Sequence, residues 1–337
     1  MSVVTLNEHK RSSTPPPVPT PSQRPDDLRP TLFTAQKHPN AEDFVREVNT
    51  FFLESWPFKT EKHRKRFVDE GYAWFVCVNC PLSLDERMHW GCRLLTTGFL
   101  IDDILDHMSV EEGVEHNSRV IESAKGTRLP DPDAPAQKIM DGLFIDMRAV
   151  DKELAYDLLG PTIDFLIAQA DGDRMKPMGL NEYFEYRDAD LGKGLLTGIM
   201  RFCAGLHMTP EELEAVKEVE TNAMKHITFV NDICSFEKEI LAAKEGSELG
   251  AICSSVPIMM KLCGTNQQET TRVVWQMVQA WEVRHFELVD EVLLKHPSQN
   301  MVTYLKGLKH QVAGNELWGL LTPRYYRTGS MAFTEGR

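Results

Sequence analysis

No apolar run in the 337 residues is long enough to cross a bilayer. Basic residues are in deficit: 37 Lys and Arg against 50 Asp and Glu leave a net charge of −13, the wrong sign for general nucleic-acid binding. An anionic small substrate is still allowed, because bound metal ions invert a local field. There is no glycine-rich phosphate loop, no internal repeat and no convincing alternation of apolar and polar residues that would mark β-strands. Met1–Pro30 is polar and Pro-rich and carries no export signal, so a cytoplasmic, reducing location is expected. The seven cysteines do not form two pairs at zinc-finger spacing. Cys77 and Cys80 match a redox spacing, but residues i and i+3 share a helix face, and packing is the plainer expectation.

What is present is helical periodicity. Apolar residues make up 42 % and charged residues 26 %, as in a packed globular chain. Ser83-Leu84-Asp85-Glu86 reads as a capping box opening a helix that runs through Trp90, Leu94 and Phe99 to about His107. Thr209-Pro210-Glu211-Glu212 reads as a second box, with Pro at the first helical position. Asn266 to Glu269 opens a third segment whose pattern continues from Val274 through His285 and Met301 to Trp318. The economical expectation is an all-α protein. One domain spans residues 35–326, between a disordered Pro-rich tail at 1–34 and a loose tail at 327–337.

Two acidic stretches stand out on separate predicted helices. The first is Asp102-Asp103-Ile104-Leu105-Asp106; the second is Asn231-Asp232-Ile233-Cys234-Ser235-Phe236-Glu237-Lys238-Glu239. Asp102 and Asp106 are four apart and share a face, whereas Asp103 turns about a hundred degrees away and suits a supporting role. Carboxylates near a helix C-terminus meet an unfavourable macrodipole and call for a cation. Asn231, Ser235 and Glu239 drift only about 40° per step and form one stripe. An amide oxygen, a hydroxyl and a carboxylate so placed can grip one octahedral cation, and oxygen donors of this kind suit Mg²⁺. The plain alternatives are a solvated acidic helix end and a polar stripe facing water.

At these residues the chain resembles the class I terpene synthases, and among them the fungal aristolochene synthases, over roughly residues 35 to 326. The first stretch resembles that family's aspartate-rich motif, and the second its Asn-Asp-x-x-Ser-x-x-x-Glu motif. Glu185-Tyr186-Arg187 resembles its diphosphate-sensing arginine, and Arg324-Tyr325 its Arg-Tyr pair. Cys92-Arg93-Leu94-Leu95-Thr96 and Gly314-Asn315-Glu316-Leu317-Trp318 extend the likeness.

The resemblance implies a class I terpenoid synthase helical bundle around a central apolar cavity. It implies three Mg²⁺ ions, farnesyl diphosphate as substrate and diphosphate as a product, with no nucleic-acid partner and no membrane span. A homo-oligomer is allowed. Asp102 inherits the main metal-ligand role, Asp106 a less direct one, and Asn231, Ser235 and Glu239 a third ion. Arg187, Lys238, Arg324 and Tyr325 become diphosphate donors, and Phe99, Phe165 and Trp318 become aromatic walls for a carbocation. One departure stands out. The aristolochene synthases carry a Tyr-Phe pair before Pro-Leu in a cavity-lining helix, where this chain has Asn79-Cys80 before Pro81-Leu82. Asn79 is therefore expected to line a larger, more polar pocket, and the product is expected to differ from aristolochene. A first ring closure to a ten-membered cation is also expected. A chain-elongating prenyltransferase would need a second aspartate-rich motif where residues 231–239 stand, and a class II cyclase an Asp-x-Asp-Asp motif; neither is present. The alternatives are a synthase for geranylgeranyl diphosphate and a non-catalytic binder of prenyl diphosphates.

Overall fold

The computed structural model describes residues 28–176 and 178–326. Among them all regular structure is helical, with no strand. The helices are α1 (Ala41–Ser55), α2 (Glu61–Glu70), α3 (Tyr72–Asn79), α4 (Asp85–Leu105) and α5 (Val110–Lys125). Then follow α6 (Pro135–Val150), α7 (Lys152–Gln169), α8 (Leu180–Asp190), α9 (Lys193–Ala204) and α10 (Pro210–Glu245). The chain closes with α11 (Ser255–Cys263), α12 (Gln267–Lys295), α13 (Gln299–Leu321) and α14 (Pro323–Tyr326). Among the described residues no helix is long and apolar enough to cross a membrane.

Of the two expected capping boxes, the one at Thr209 forms. Thr209 Oγ1 accepts from the Glu212 amide at 3.2 Å while Glu212 Oε2 accepts from the Thr209 amide at 3.0 Å. Asn266 and Glu269 do the same, and each such cap contributes about 1 kcal/mol. The box expected at Ser83 does not form. Leu84 is the N-cap of α4, held extended by its amide bond to Cys203 O at 2.9 Å. Ser83 Oγ donates instead to Cys80 O at 2.7 Å, so the turn after Pro81 consumes the hydroxyl that a cap would need. The pattern from Asn266 to Trp318 divides into two helices. Pro297 cannot continue α12, and Ser298 restarts the chain by accepting from the Met301 amide at 3.1 Å.

The bundle is organised around α10, which packs on α12 and α13. Its early turns bury one stripe, Val216, Val219 and Ala223. From Ile227 to Phe236 it is buried almost all round, as befits a segment running through a core. α3, α4, α7 and α9 complete the wall on the far side. α3 crosses α13 so closely that a Cβ on Gly314 would lie 2.6 Å from Val78 O and 2.9 Å from the Asn79 nitrogen. Cys77 and Cys80 are buried free thiols in this packing.

The packed chain begins before the expected boundary at residue 35. Arg29 Nη2 donates to Gln279 O at 2.7 Å, the Leu32 amide donates to Glu282 Oε2 at 3.1 Å, and Phe33 sets its ring against His226 and His285. Beneath this strap, His226 Nε2 lies 3.8 Å from both Glu282 Oε1 and Glu316 Oε2, joining α10, α12 and α13. The remainder of the expected tails, 1–27 and 327–337, lies outside the described residues.

Candidate active site

The last turns of α4 bury Leu100, Ile101 and Leu105, while Asp102, Asp103 and Asp106 emerge half-buried at a cavity mouth. α10 faces them across that mouth. Lys238 Nζ lies 3.0 Å from Asp106 Oδ2 and 3.6 Å from Asp102 Oδ2. From α14, Arg324 Nη2 donates to Asp102 Oδ2 and Nη1 to Asp103 Oδ1, both at 2.7 Å. Asp102 and Asp106 line the cavity; Asp103 instead borders the groove on the outer side of α4. Burial and the neighbouring Arg324 press Lys238 towards neutrality, but Asp102 and Asp106 outweigh them and raise its pKa, so it stays an ammonium.

Asn231, Ser235 and Glu239 line the same cavity. Ser235 Oγ donates to Glu239 Oε1 at 2.6 Å. Asn231 is held from two sides, its Nδ2 donating to Tyr325 Oη at 2.9 Å and its Oδ1 accepting from Arg187 Nη2 at 3.1 Å. Burial, and then the negative charge of Asp232, push the Glu239 carboxyl up to about 7. Asp232 points away from the cavity and accepts from Tyr183 Oη at 2.7 Å and the Ser255 amide at 2.9 Å. Arg187 pairs with Asp190 and Asp232 as well as Asn231. Its burial alone would lower its pKa, but Tyr183, Asp190 and Asp232 raise it well above the ordinary value.

Below the polar rim the walls are apolar and aromatic: Phe75, Leu95, Phe99, Phe165, Leu196 and Trp318. Phe99 and Trp318 have ring centroids 5.3 Å apart, and Phe75 lies 4.7 Å from Trp318. Asn79, expected to line this pocket, does not. Its side chain is buried between helices and donates to Phe75 O at 2.9 Å, one turn back along α3. The reason is the tight α3–α13 crossing at Gly314, which holds the end of α3 behind the wall and presents Phe75 in its place.

The donor set fits hard divalent cations. Asp102, Asp103 and Asp106 each offer a carboxylate oxygen, all within 4.8 Å of one another. The second stripe offers three oxygen donors and no sulfur or nitrogen ligand. With its pKa raised to about 7, the Glu239 carboxyl is a group whose charged form a bound cation would favour.

The family described as "Terpene synthase family 2, C-terminal metal binding" matches residues 93–284, a span that contains both acidic motifs. The chain belongs to the terpene synthase family. It is 42 % identical over 298 residues to an aristolochene synthase of Aspergillus terreus, covering 88 % of this chain and 93 % of that one. It is similar to the crystal structure of aristolochene synthase from Penicillium roqueforti, with a TM-score of 0.77 at 39 % identity, covering 87 % of this chain and 99 % of that one. A structure of hedycaryol synthase in complex with nerolidol shares the fold at 17 % identity, with a TM-score of 0.70 over 87 % of this chain and 99 % of that one. The enzyme is thus a class I terpene cyclase with an all-α class I terpenoid fold, and its family acts on prenyl diphosphates.

Several site residues escaped the sequence reading. Asp190 sits three residues after Arg187 and is its ion-pair partner, a spacing that could have been noticed. Gln169, Asn315 and Phe75 line the cavity, and Tyr72 accepts from Arg324 at 2.7 Å. These four lie in ordinary helical patterns, and only the tertiary packing brings them to the site.

Proposed function

We propose that the enzyme is a Mg²⁺-dependent sesquiterpene synthase that ionises farnesyl diphosphate and cyclises the resulting allylic cation, releasing diphosphate. One observation carries this reading: two oxygen-rich stripes from α4 and α10 face each other, with Lys238 and Arg324 between them, directly above an aromatic pocket. Asp102, with Asp106 beside it, and the Asn231–Ser235–Glu239 stripe would hold the ions, three in number. When bound, the ions supply Lewis-acid stabilisation of the charge developing on the departing diphosphate.

The protein's own groups do the rest. Ionisation breaks the C1–O bond, the electron pair leaves with diphosphate, and an allylic cation stays behind. Arg187, Lys238, Arg324 and Tyr325 present fixed N–H and O–H donors at the mouth, and such donors act most strongly where water is excluded. The guanidinium forks of Arg187 and Arg324 meet phosphate oxygens in pairs. Phe99, Phe165 and Trp318 present π-faces to the cation, worth about 2 kcal/mol or more where desolvated. The pocket contour folds the chain, and we propose a first closure to a ten-membered ring cation.

The expectation that the product is not aristolochene rested on the Asn79-Cys80 pair, and neither residue lines the cavity. With Asn79 behind the wall, that residue lends it no support, and product identity is an outcome of the test. Incubation with farnesyl and with geranylgeranyl diphosphate, each with and without Mg²⁺, is followed by diphosphate release and product analysis. Mg²⁺-dependent cyclic fifteen-carbon products are expected. Diphosphate binding without turnover, or turnover of geranylgeranyl diphosphate alone, would sink the reading.

A further inference from the structure

Tyr72 lies outside the cavity lining, yet it touches both halves of the proposed chemistry. On one side its hydroxyl accepts a hydrogen bond from Arg324 Nη1 at 2.7 Å. On the other its ring stacks on Phe99, centroids 4.6 Å apart and planes 12° from parallel. A phenol has one proton to give. Glu70 takes it in the shorter contact, and Asp103 Oδ2 is the alternative acceptor at 3.2 Å. The Tyr72 lone pairs then face the guanidinium. Burial raises the phenol's pKa well above its ordinary value, so the proton stays in place.

The junction before Tyr72 is built to hold this arrangement. Gly71 ends α2 and starts α3 with φ of +69°, a conformation open to glycine, and so turns Glu70 and Tyr72 towards the same guanidinium. The Glu70 carbonyl accepts from Trp318 Nε1 at 3.1 Å and from Thr322 Oγ1 at 2.9 Å. Thr322 Oγ1 in turn accepts from the Arg324 amide at 3.3 Å. Arg66 Nε fixes the Glu70 carboxylate at 2.6 Å. Glu70, Gly71 and Tyr72 therefore form one block against which the diphosphate-facing Arg324 and the cation-facing Phe99 and Trp318 are all registered.

We propose that Tyr72 is a positioning residue with two separable functions: its hydroxyl aims Arg324 at the diphosphate, and its ring sets the plane of Phe99 against the carbocation. The inference rests on the proposed ionisation of a prenyl diphosphate at this site.

The two functions separate by substitution. Tyr72→Phe keeps the ring and removes the acceptor. A hydrogen bond to a charged group matters by about 10-fold or more, so kcat/KM with farnesyl diphosphate should fall, and inhibition by inorganic diphosphate with Mg²⁺ should weaken, each by roughly that factor. The product profile should not change. Tyr72→Leu removes both functions and should also shift products towards acyclic or early-quenched species. If Tyr72→Phe does not fold, Glu70→Gln keeps the ring and hydroxyl but alters the group that orients them. It should likewise weaken diphosphate inhibition without altering products. Wild-type kinetics and diphosphate inhibition in Tyr72→Phe, or in Glu70→Gln when that variant is used, would overturn the inference. So would a purely thermal effect with unchanged kinetics. If the wild-type enzyme neither turns over farnesyl diphosphate nor responds to inorganic diphosphate, the functional reading falls and this inference falls with it. An active wild type beside an unaffected Tyr72→Phe sinks the inference alone.

Discussion

Lys238 Nζ lies 3.0 Å from Asp106 Oδ2, so the helix that bears the second acidic motif supplies a cation to the first. Arg324 does the same for Asp102 from the C-terminal end of the chain. The mouth of the cavity is thus knit from three elements that meet only in the fold. Incoming metal and diphosphate would take over these ion pairs: carboxylates turn to metal, ammonium and guanidinium turn to phosphate. Asp102, Asp106, Lys238 and Arg324 all line the cavity.

Asp102→Asn should separate chemistry from folding. The amide keeps an acceptor oxygen for Arg324, and Arg324 keeps Asp103 and Tyr72. Stability should change little, whereas loss of an anionic metal ligand should reduce turnover at least about 100-fold, since such ligation is worth several kcal/mol. Steady-state kinetics across a Mg²⁺ series and a thermal melt measure the two effects. Mg²⁺ with inorganic diphosphate should raise the wild-type melting temperature, by mass action on the folded state, and raise that of the variant less. Near-native turnover in the variant would remove Asp102 from the proposed ligand set.

Arg187 should behave in the opposite way. It is buried among Asp190, Asp232 and Asn231, and its removal strands two carboxylates. Arg187→Met should destabilise the protein by about 3–5 kcal/mol, the usual consequence of breaking a buried pair on one side. Arg187→Lys keeps the charge but lacks the fork, and should fall between the two in stability while still losing activity. Urea unfolding of the three proteins decides this, and an unchanged midpoint for Arg187→Met would show that the network carries no stability.

The motifs were legible in the sequence because helix periodicity is local. Spacing of four residues puts Asp102 and Asp106 on one face whatever the rest of the chain does, and the Asn231–Ser235–Glu239 stripe follows the same rule. The helical fold class and the caps at Thr209 and Asn266 were legible for the same reason. Ser83 was not, because its hydroxyl was claimed by a turn whose geometry depends on Cys203, far along the chain. Asn79 was misplaced for a similar cause. Its position in the sequence says which helix it ends, but the contact between α3 and Gly314 decides which way that end faces. Arg29 and Phe33 were assigned to a tail because no local pattern marks them; their partners, Gln279 and Glu282 for Arg29 and His226 and His285 for Phe33, lie far along the chain.

Product control should follow the lining. Phe165 forms part of the cavity wall, seated against Gly98 and Gly192, where a Cβ would approach its ring to 3.2 Å and 3.1 Å. Phe165→Leu keeps the apolar wall and removes the π-face, and should shift products towards species quenched earlier, through loss of about 2 kcal/mol of cation stabilisation. Asn79→Ala should leave the profile unchanged while costing some stability, because its side chain bonds Phe75 O and lies outside the lining. Gas chromatography of both product mixtures tests the placement. A changed profile in Asn79→Ala would put that residue back in the pocket wall.

The strap at the start of the packed chain gives the fold a defined acid limb. Burial would raise the Glu282 carboxyl, but the His226 ring 3.8 Å away, the Arg29 guanidinium and the Leu32 amide hold it down at about 2, from an ordinary 4.5. A carboxylate with a depressed folded pKa adds stability that is fully present above its unfolded value and is lost as pH falls through its folded one. The stability from Glu282 should therefore be intact above about pH 4.5 and vanish progressively towards about pH 2. Protonation removes the charge that pairs with Arg29 and weakens the acceptor for the Leu32 amide, so residues 29–33 should release from α12 before the bundle unfolds. Glu282→Gln should be less stable than the wild type at neutral pH, and the gap should close across this window as the wild type loses its own carboxylate. Unfolding free energies measured from pH 5 downward, with hydrogen exchange at the Leu32 amide as a local reporter, test both parts. If the wild type and the variant run parallel through the window, Glu282 is not the group that sets the acid limb.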